Sequence, residues 1–254
     1  MTATTPTTPT PERSVPPMTA IGLTYGLLLR QLVTRGRVLA LLAVGAAVAG
    51  IAAAVGASDT PDRLQSAVEV IAGLGFAVVV PIVSLVFAAA SLGDAREDGT
   101  LVYLWLRPID RWPVVLGAWL AAVTVSLPLT IGPLACAVWL ADGGATLLGA
   151  TVLAAAVAVL AYSAVFVLLG LLVKNAIGWG LAYILVWEGI IAAFGDLAAR
   201  LALVGYARSI ITSRTGIDLA LGDLSTTPAV VVPLVVTVVA LVLAARRLHH
   251  LDVA

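Results

Sequence analysis

Long apolar runs alternate with short charged passages along the whole chain. A run of about 20 apolar residues is enough to cross a bilayer core, and six candidates stand out: 38–57, 67–92, 114–140, 147–173, 178–194 and 229–245. The last two are near the short limit. The pattern predicts an all-α polytopic membrane protein with six transmembrane helices in one domain over 19–245. Ahead of the first run, Ile21, Tyr25, Leu28, Leu29 and Leu32 recur at helical spacing, with Arg30, Arg35 and Arg37 placed to reach headgroups. Residues 19–37 therefore predict an interfacial helix leading into the first span, although periodicity alone also fits a cytoplasmic extension of that span.

Inside the runs, residue size and proline add detail. The first run is dominated by Ala and Gly, with the pairs Gly45/Ala49 and Ala46/Gly50 four residues apart, a flat surface that another helix can approach closely. This span should pack against protein. Pro81, Pro128, Pro133 and Pro233 each remove a backbone hydrogen bond and can bend their helix. Pro128 and Pro133, with Gly132, make the third span the best hinge candidate, against static kinks that only improve packing.

Composition and charge fit this picture. The chain is 61% hydrophobic and 11% charged, against roughly 25% charged residues in an ordinary soluble domain. A net charge of zero and the lack of a basic patch with interleaved aromatics leave no indication of nucleic acid as a partner. With the N-terminus inside, Arg13, Arg30, Arg35, Arg37, Arg96, Arg107, Arg111, Lys174, Arg246 and Arg247 fall in the cytoplasm. Only Arg63, Arg200, Arg208 and Arg214 fall outside. Retained loops carry the excess of Lys and Arg, so both termini are expected to be cytoplasmic. The Thr- and Pro-rich opening, 1–18, reads as a disordered cytoplasmic tail, and 246–254 as a second tail. Between the fifth and sixth runs, Arg200, Arg208 and Arg214 interrupt apolar pieces too short to cross. That stretch predicts one or two re-entrant or interfacial helices dipping into the outer leaflet, where protein or water must satisfy the backbone.

Much chemistry is absent. Cys136 is alone, which excludes a disulfide framework or a cysteine metal site. The only histidines, His249 and His250, lie in the C-terminal tail, so intramembrane proteolysis by a serine or zinc site is poorly supported and no metal site is expected. Lys174 does not complete the pattern G-x-x-x-x-G-K-[ST] of a phosphate-binding loop. The chain itself is expected to be neither an ATPase nor any other enzyme. Glu188 is the clear embedded carboxylate, roughly 16 Å from the cytoplasmic end of its span at about 1.5 Å per residue. Such a group must face protein or water, or be protonated. It either bonds to the re-entrant segment or lines a transport path. Glu69 is too near a span end to be a second embedded carboxylate.

The passage 93–113, "GDAREDGTLVYLWLRPIDRWP", is the remaining anomaly. Leu101, Leu104 and Trp105 repeat at helical spacing, acids precede them as suits a helix start, and Arg107 before Pro108 ends the element. A two-turn helix with charged ends results, more than a simple connection needs. An interfacial anchor through Trp105 and Trp112 is the plainer reading. Arg96, Glu97, Gly99, Thr100, Leu101, Pro108 and Arg111 here resemble the segment after the second span in permease subunits of ATP-binding-cassette transporters, type 2 exporter class. Asp98 and the pair Ile109-Asp110 depart from the usual pattern. The resemblance implies a dimer of permease subunits, identical or not, in a bacterial cell membrane. It further implies separate ATPase subunits that hold ATP and Mg and push on a coupling helix. Residues implied at that contact are Arg96, Glu97, Asp98, Gly99, Thr100, Arg107, Pro108 and Arg111. The rival readings are an ion-coupled carrier centred on Glu188 and a non-transporting membrane scaffold.

Overall fold

The computed structural model describes residues 16–57, 62–97, 110–190, 201–220, 222 and 224–250, and their regular structure is entirely helical. In chain order these are α1 (Pro17–Leu32), α2 (Arg35–Gly56), α3 (Arg63–Val70), a π segment (Ile71–Val79), α4 (Val80–Glu97), α5 (Arg111–Leu140) and α6 (Gly144–Leu172). Then follow α7 (Ala176–Ala182), a second π segment (Tyr183–Glu188), α8 (Leu203–Thr215) and α9 (Thr226–His250).

Five of the helices are long and apolar enough to cross a membrane: α2, the continuous rod Leu64–Glu97, α5, α6 and α9. Five of the six apolar runs fall within them to within one residue, Ala57 and Val173 being the C-caps of α2 and α6. The run 178–194 does not yield a sixth among the described residues. Ala176–Glu188 is a shorter apolar helix, and its 13 residues reach about 20 Å, short of a core of about 30 Å. Residues 191–200 lie outside the described residues. The architecture fits an all-α membrane protein with five candidate spans.

The helices α2 and α5 run one way and the rod, α6 and α9 the other, and their contacts mark two ends. At one end Arg37 pairs with Asp94, Glu97 meets Asn175, and Arg111 meets the last turn of α9. Arg35, Arg37, Arg96, Arg111, Lys174, Arg246 and Arg247 belong to the helix ends gathered there. At the other end, Gly56 closing α2 packs on Ala141 just after α5. The N-terminal helix α1 is broken from α2 at Val33 and Thr34 and lies across the start of α5, where a Cβ on Gly117 would be 2.8 Å from Cβ of Thr24. Its Leu23 and Leu27 point away from the bundle.

The rod Leu64–Glu97, α5 and α6 form the centre, with 61% of the most apolar window of each buried, against 28% for α2 and for α9. Lipid chains are as apolar as Leu, so close fit between helices replaces the hydrophobic effect as the cause of association. A close fit joins α4 and α6, where Gly93 and Gly170 bring backbones together. A Cβ on Gly170 would sit 3.0 Å from the Ala89 carbonyl oxygen and 3.5 Å from Gly93 Cα. Small residues also seat α2 on α5: Gly45 and Ala49 are buried, and a Cβ on Gly45 would lie 2.6 Å from Pro133 Cγ. Pro133 is thus a packing contact. The other small pair, Ala46 and Gly50, is exposed, with open space around Gly50.

Proline acts differently in the rod. Val80 donates to the Gly75 carbonyl, the i to i−5 bond of a π turn, and Pro81 follows at once. Its ring supplies no N–H and crowds the carbonyl four residues back, so the helix is widened where the proline disrupts the ladder.

Candidate functional site

Two polar clusters interrupt the apolar bundle. The first surrounds Glu188, which closes the second π segment and is only 4% exposed. Four groups donate to its carboxylate. Oε1 accepts from the Tyr183 hydroxyl at 2.8 Å and from the Leu203 N–H at 3.0 Å; Oε2 accepts from the Tyr162 hydroxyl and from the Val204 N–H at 3.0 Å. Both oxygens act as acceptors, the role of an ionised carboxylate. Phe166 walls the site, stacked on Tyr162 at 5.9 Å and edge-on to Tyr183 at 6.3 Å.

Leu203 and Val204 are the first two residues of α8, whose own N-cap, Ala202, offers no side-chain acceptor. A buried helix start leaves N–H groups without intrahelical partners, and an anion there suits the helix dipole. Glu188 therefore caps α8 from another element. This is how a non-spanning helix can begin deep among the spans, where lipid offers its backbone no partner. The other end of α8 closes on Gly216, whose φ of +72° is a left-handed C-cap that glycine adopts without strain. Ser209 accepts from the Leu224 N–H at 3.3 Å and Ser213 lies 2.7 Å from Thr226 Oγ1, which bind α8 to the entrance of α9. Arg208 donates to the Ala220 carbonyl at 3.2 Å. Burial lowers its guanidinium from the ordinary value, Tyr162 and Glu188 act in the opposite sense, and it stays charged.

The second cluster lies at the arginine-rich end. Glu97, the last residue of α4, accepts the backbone N–H of Asn175 at 2.6 Å. Asn175 has a left-handed φ of +58° and caps α7 by accepting from the Gly178 N–H at 3.2 Å, a conformation and a bond that asparagine supplies readily. Arg96 stands beside Glu97 with one terminal nitrogen, Nη1, buried and unpartnered among the described residues. Arg111 opens α5 and donates to the carbonyls of Leu248, at 3.2 Å, and His249, a cation on the C-terminal carbonyls of α9.

Of the residues singled out in the sequence, Arg96, Glu97 and Arg111 come to this one end and Glu188 stands apart. Asp98, Gly99, Thr100, Arg107 and Pro108 lie outside the described residues. Sequence reasoning missed Tyr162, Tyr183 and Asn175. A lone Tyr inside the run 147–173, a Tyr five residues before Glu188, and Asn preceding "AIGWG" as an N-cap were the available signals. No protein-family model matches the chain, and no curated protein matches it either.

Proposed function

We propose that this chain is the membrane-spanning permease subunit of an ATP-driven transporter of the type 2 exporter class. It works as a dimer, with ATP and Mg held in separate ATPase subunits that engage residues 94–113. In this reading the arginine-rich end faces the cytoplasm of a bacterium, both termini lie there, and the run 178–194 is the sixth span. The cytoplasmic orientation rests on the excess of Arg and Lys in retained loops.

The observation that carries the reading is that both roots of the connecting segment are tied to other elements: Glu97 to Asn175 at the head of α7, Arg111 to the last turn of α9. A push on such a segment reaches several spans at once. Glu97 is exposed, so its second oxygen has room for a partner from outside. The four donors around Glu188 count against a carrier centred there, because a carboxylate so fully engaged is a poor ion-binding group. The exposed apolar faces of α2 and α9 supply surface for lipid and for a second copy.

Affinity purification from the native membrane in mild detergent, with mass spectrometry and an ATPase assay on the eluate, tests the reading. A soluble ATPase should copurify in stoichiometric amount. Replacing Arg96 and Glu97 together by alanine should lower its recovery and coupled activity by about tenfold or more, the usual effect of losing an interfacial charge contact, while membrane insertion is unchanged. A preparation free of ATPase, in a detergent that preserves a control complex, would remove the proposal.

A further inference from the structure

At the opposite end from the Arg96–Arg111 cluster, and bordering the Glu188 cluster only through Arg208, a cleft of about 360 Å³ opens between the first π segment and α8. Among the described residues it is lined by Glu69, Ala72, Gly73, Arg208, Leu219 and Ala220. Its volume lies in the range of small-ligand sites. The lining carries one charge of each sign, yet Glu69 and Arg208 form no ion pair with each other; the ion pair among the described residues is Arg37 with Asp94. Opposite charges facing one cleft without closing on each other leave a gap suited to a ligand that brings both complements.

Each charged group retains capacity. Arg208 spends Nη1 on the Ala220 carbonyl, while its Nε is buried without a hydrogen-bond partner among the described residues. A buried donor left unmade is costly, and a guanidinium edge matches the oxygens of a phosphate. Glu69 is exposed and, among the described residues, receives only a long bond, 3.4 Å, from Gln65 on its own helix. It is positioned to hold an ammonium. Gly73 keeps the wall open: a Cβ there would meet nothing within 4 Å. The widened π turn forms this wall, and such turns recur at functional sites.

We propose that this cleft binds a phosphate–ammonium zwitterion, phosphate on Arg208 and ammonium on Glu69, either as a lipid headgroup or as a free phospho-amine. The site is independent of any ATPase, so its test uses the purified full chain alone and can fail without touching the proposed function. In detergent, native mass spectrometry would compare retention of phosphatidylethanolamine with that of phosphatidylglycerol, which lacks the ammonium. The chain should prefer phosphatidylethanolamine by about tenfold, the scale of one charge-assisted contact. Glu69→Gln, at an exposed side chain, should abolish the preference while weak phosphatidylglycerol binding persists. Gly73→Leu, which fills the cleft, and Arg208→Gln should weaken both lipids. Competition with soluble glycerophosphoethanolamine identifies the source: displacement upholds the site as one for the free zwitterion, and resistance upholds it as one that also needs acyl chains. Equal retention of the two lipids by the unaltered chain, or a preference that survives both Glu69→Gln and Gly73→Leu, would overturn the proposal.

Discussion

Replacing Glu188 by leucine is expected to destabilise the protein by about 3 kcal/mol, the sum of several modest buried hydrogen bonds. Leucine fills a similar volume, so the loss comes from four donors left without an acceptor: the hydroxyls of Tyr162 and Tyr183 and the N–H groups of Leu203 and Val204. The tyrosines can be relieved singly. Tyr162→Phe and Tyr183→Phe should each cost about 1 kcal/mol, because each removes a donor and leaves the carboxylate its other three. The two N–H groups have no such escape, and α8 should loosen from its N-terminus. Thermal unfolding in detergent, followed through the six tryptophans, gives the stability; hydrogen exchange over 203–207 locates the damage. Unaltered exchange there in the leucine variant would mean that Glu188 does not hold α8.

Gly170→Val should cost about 2 kcal/mol, in the usual range for forcing atoms into a tight contact, and should also part the arginine-rich ends of α4 and α6. The crowding atoms are backbone: the Ala89 carbonyl oxygen, Gly93 N and Gly93 Cα, all within 3.5 Å of the new Cβ. They cannot rotate away as a side chain would. Glu97 lies one turn beyond Gly93, and Asn175 follows the end of the same helix as Gly170, so the glycine contact sets the spacing at which their hydrogen bond forms. Gly149→Val is the control, because it changes the same helix in the same way at a position with nothing within 4 Å. Equal unfolding temperatures for the two variants would show that the close approach contributes nothing.

Hydropathy alone made most of the bundle legible, since each long helix coincides with an apolar run. It failed where apolar character is continuous but geometry is not. The break at Val33 and Thr34 lies inside a stretch whose helical periodicity runs on, and the π segment of Ile71–Val79 is apolar all round. Small residues predicted close packing for Gly45 and Ala49 but also for Ala46 and Gly50, because spacing along a helix does not say which face meets a neighbour. At Glu188, sequence showed a costly group and the need for a partner. Three of its four partners come from 26 residues earlier and 15 to 16 later, a distance at which no local pattern operates; only Tyr183, five residues earlier, is near in sequence. The resemblance rests largely on 98–109, and its residues at the roots, Glu97 and Arg111, are the ones with defined partners.

The remote cap on α8 also fixes a sequence of events during synthesis. Tyr162 leaves the ribosome before Glu188, whereas the N–H groups of Leu203 and Val204 follow it by 15 and 16 residues. At about 5–20 residues per second, the carboxylate waits on the order of one to three seconds with only its tyrosine partners made. The short helix Ala176–Glu188 should therefore be retained at the insertion machinery until α8 emerges, and the two should enter the bilayer together.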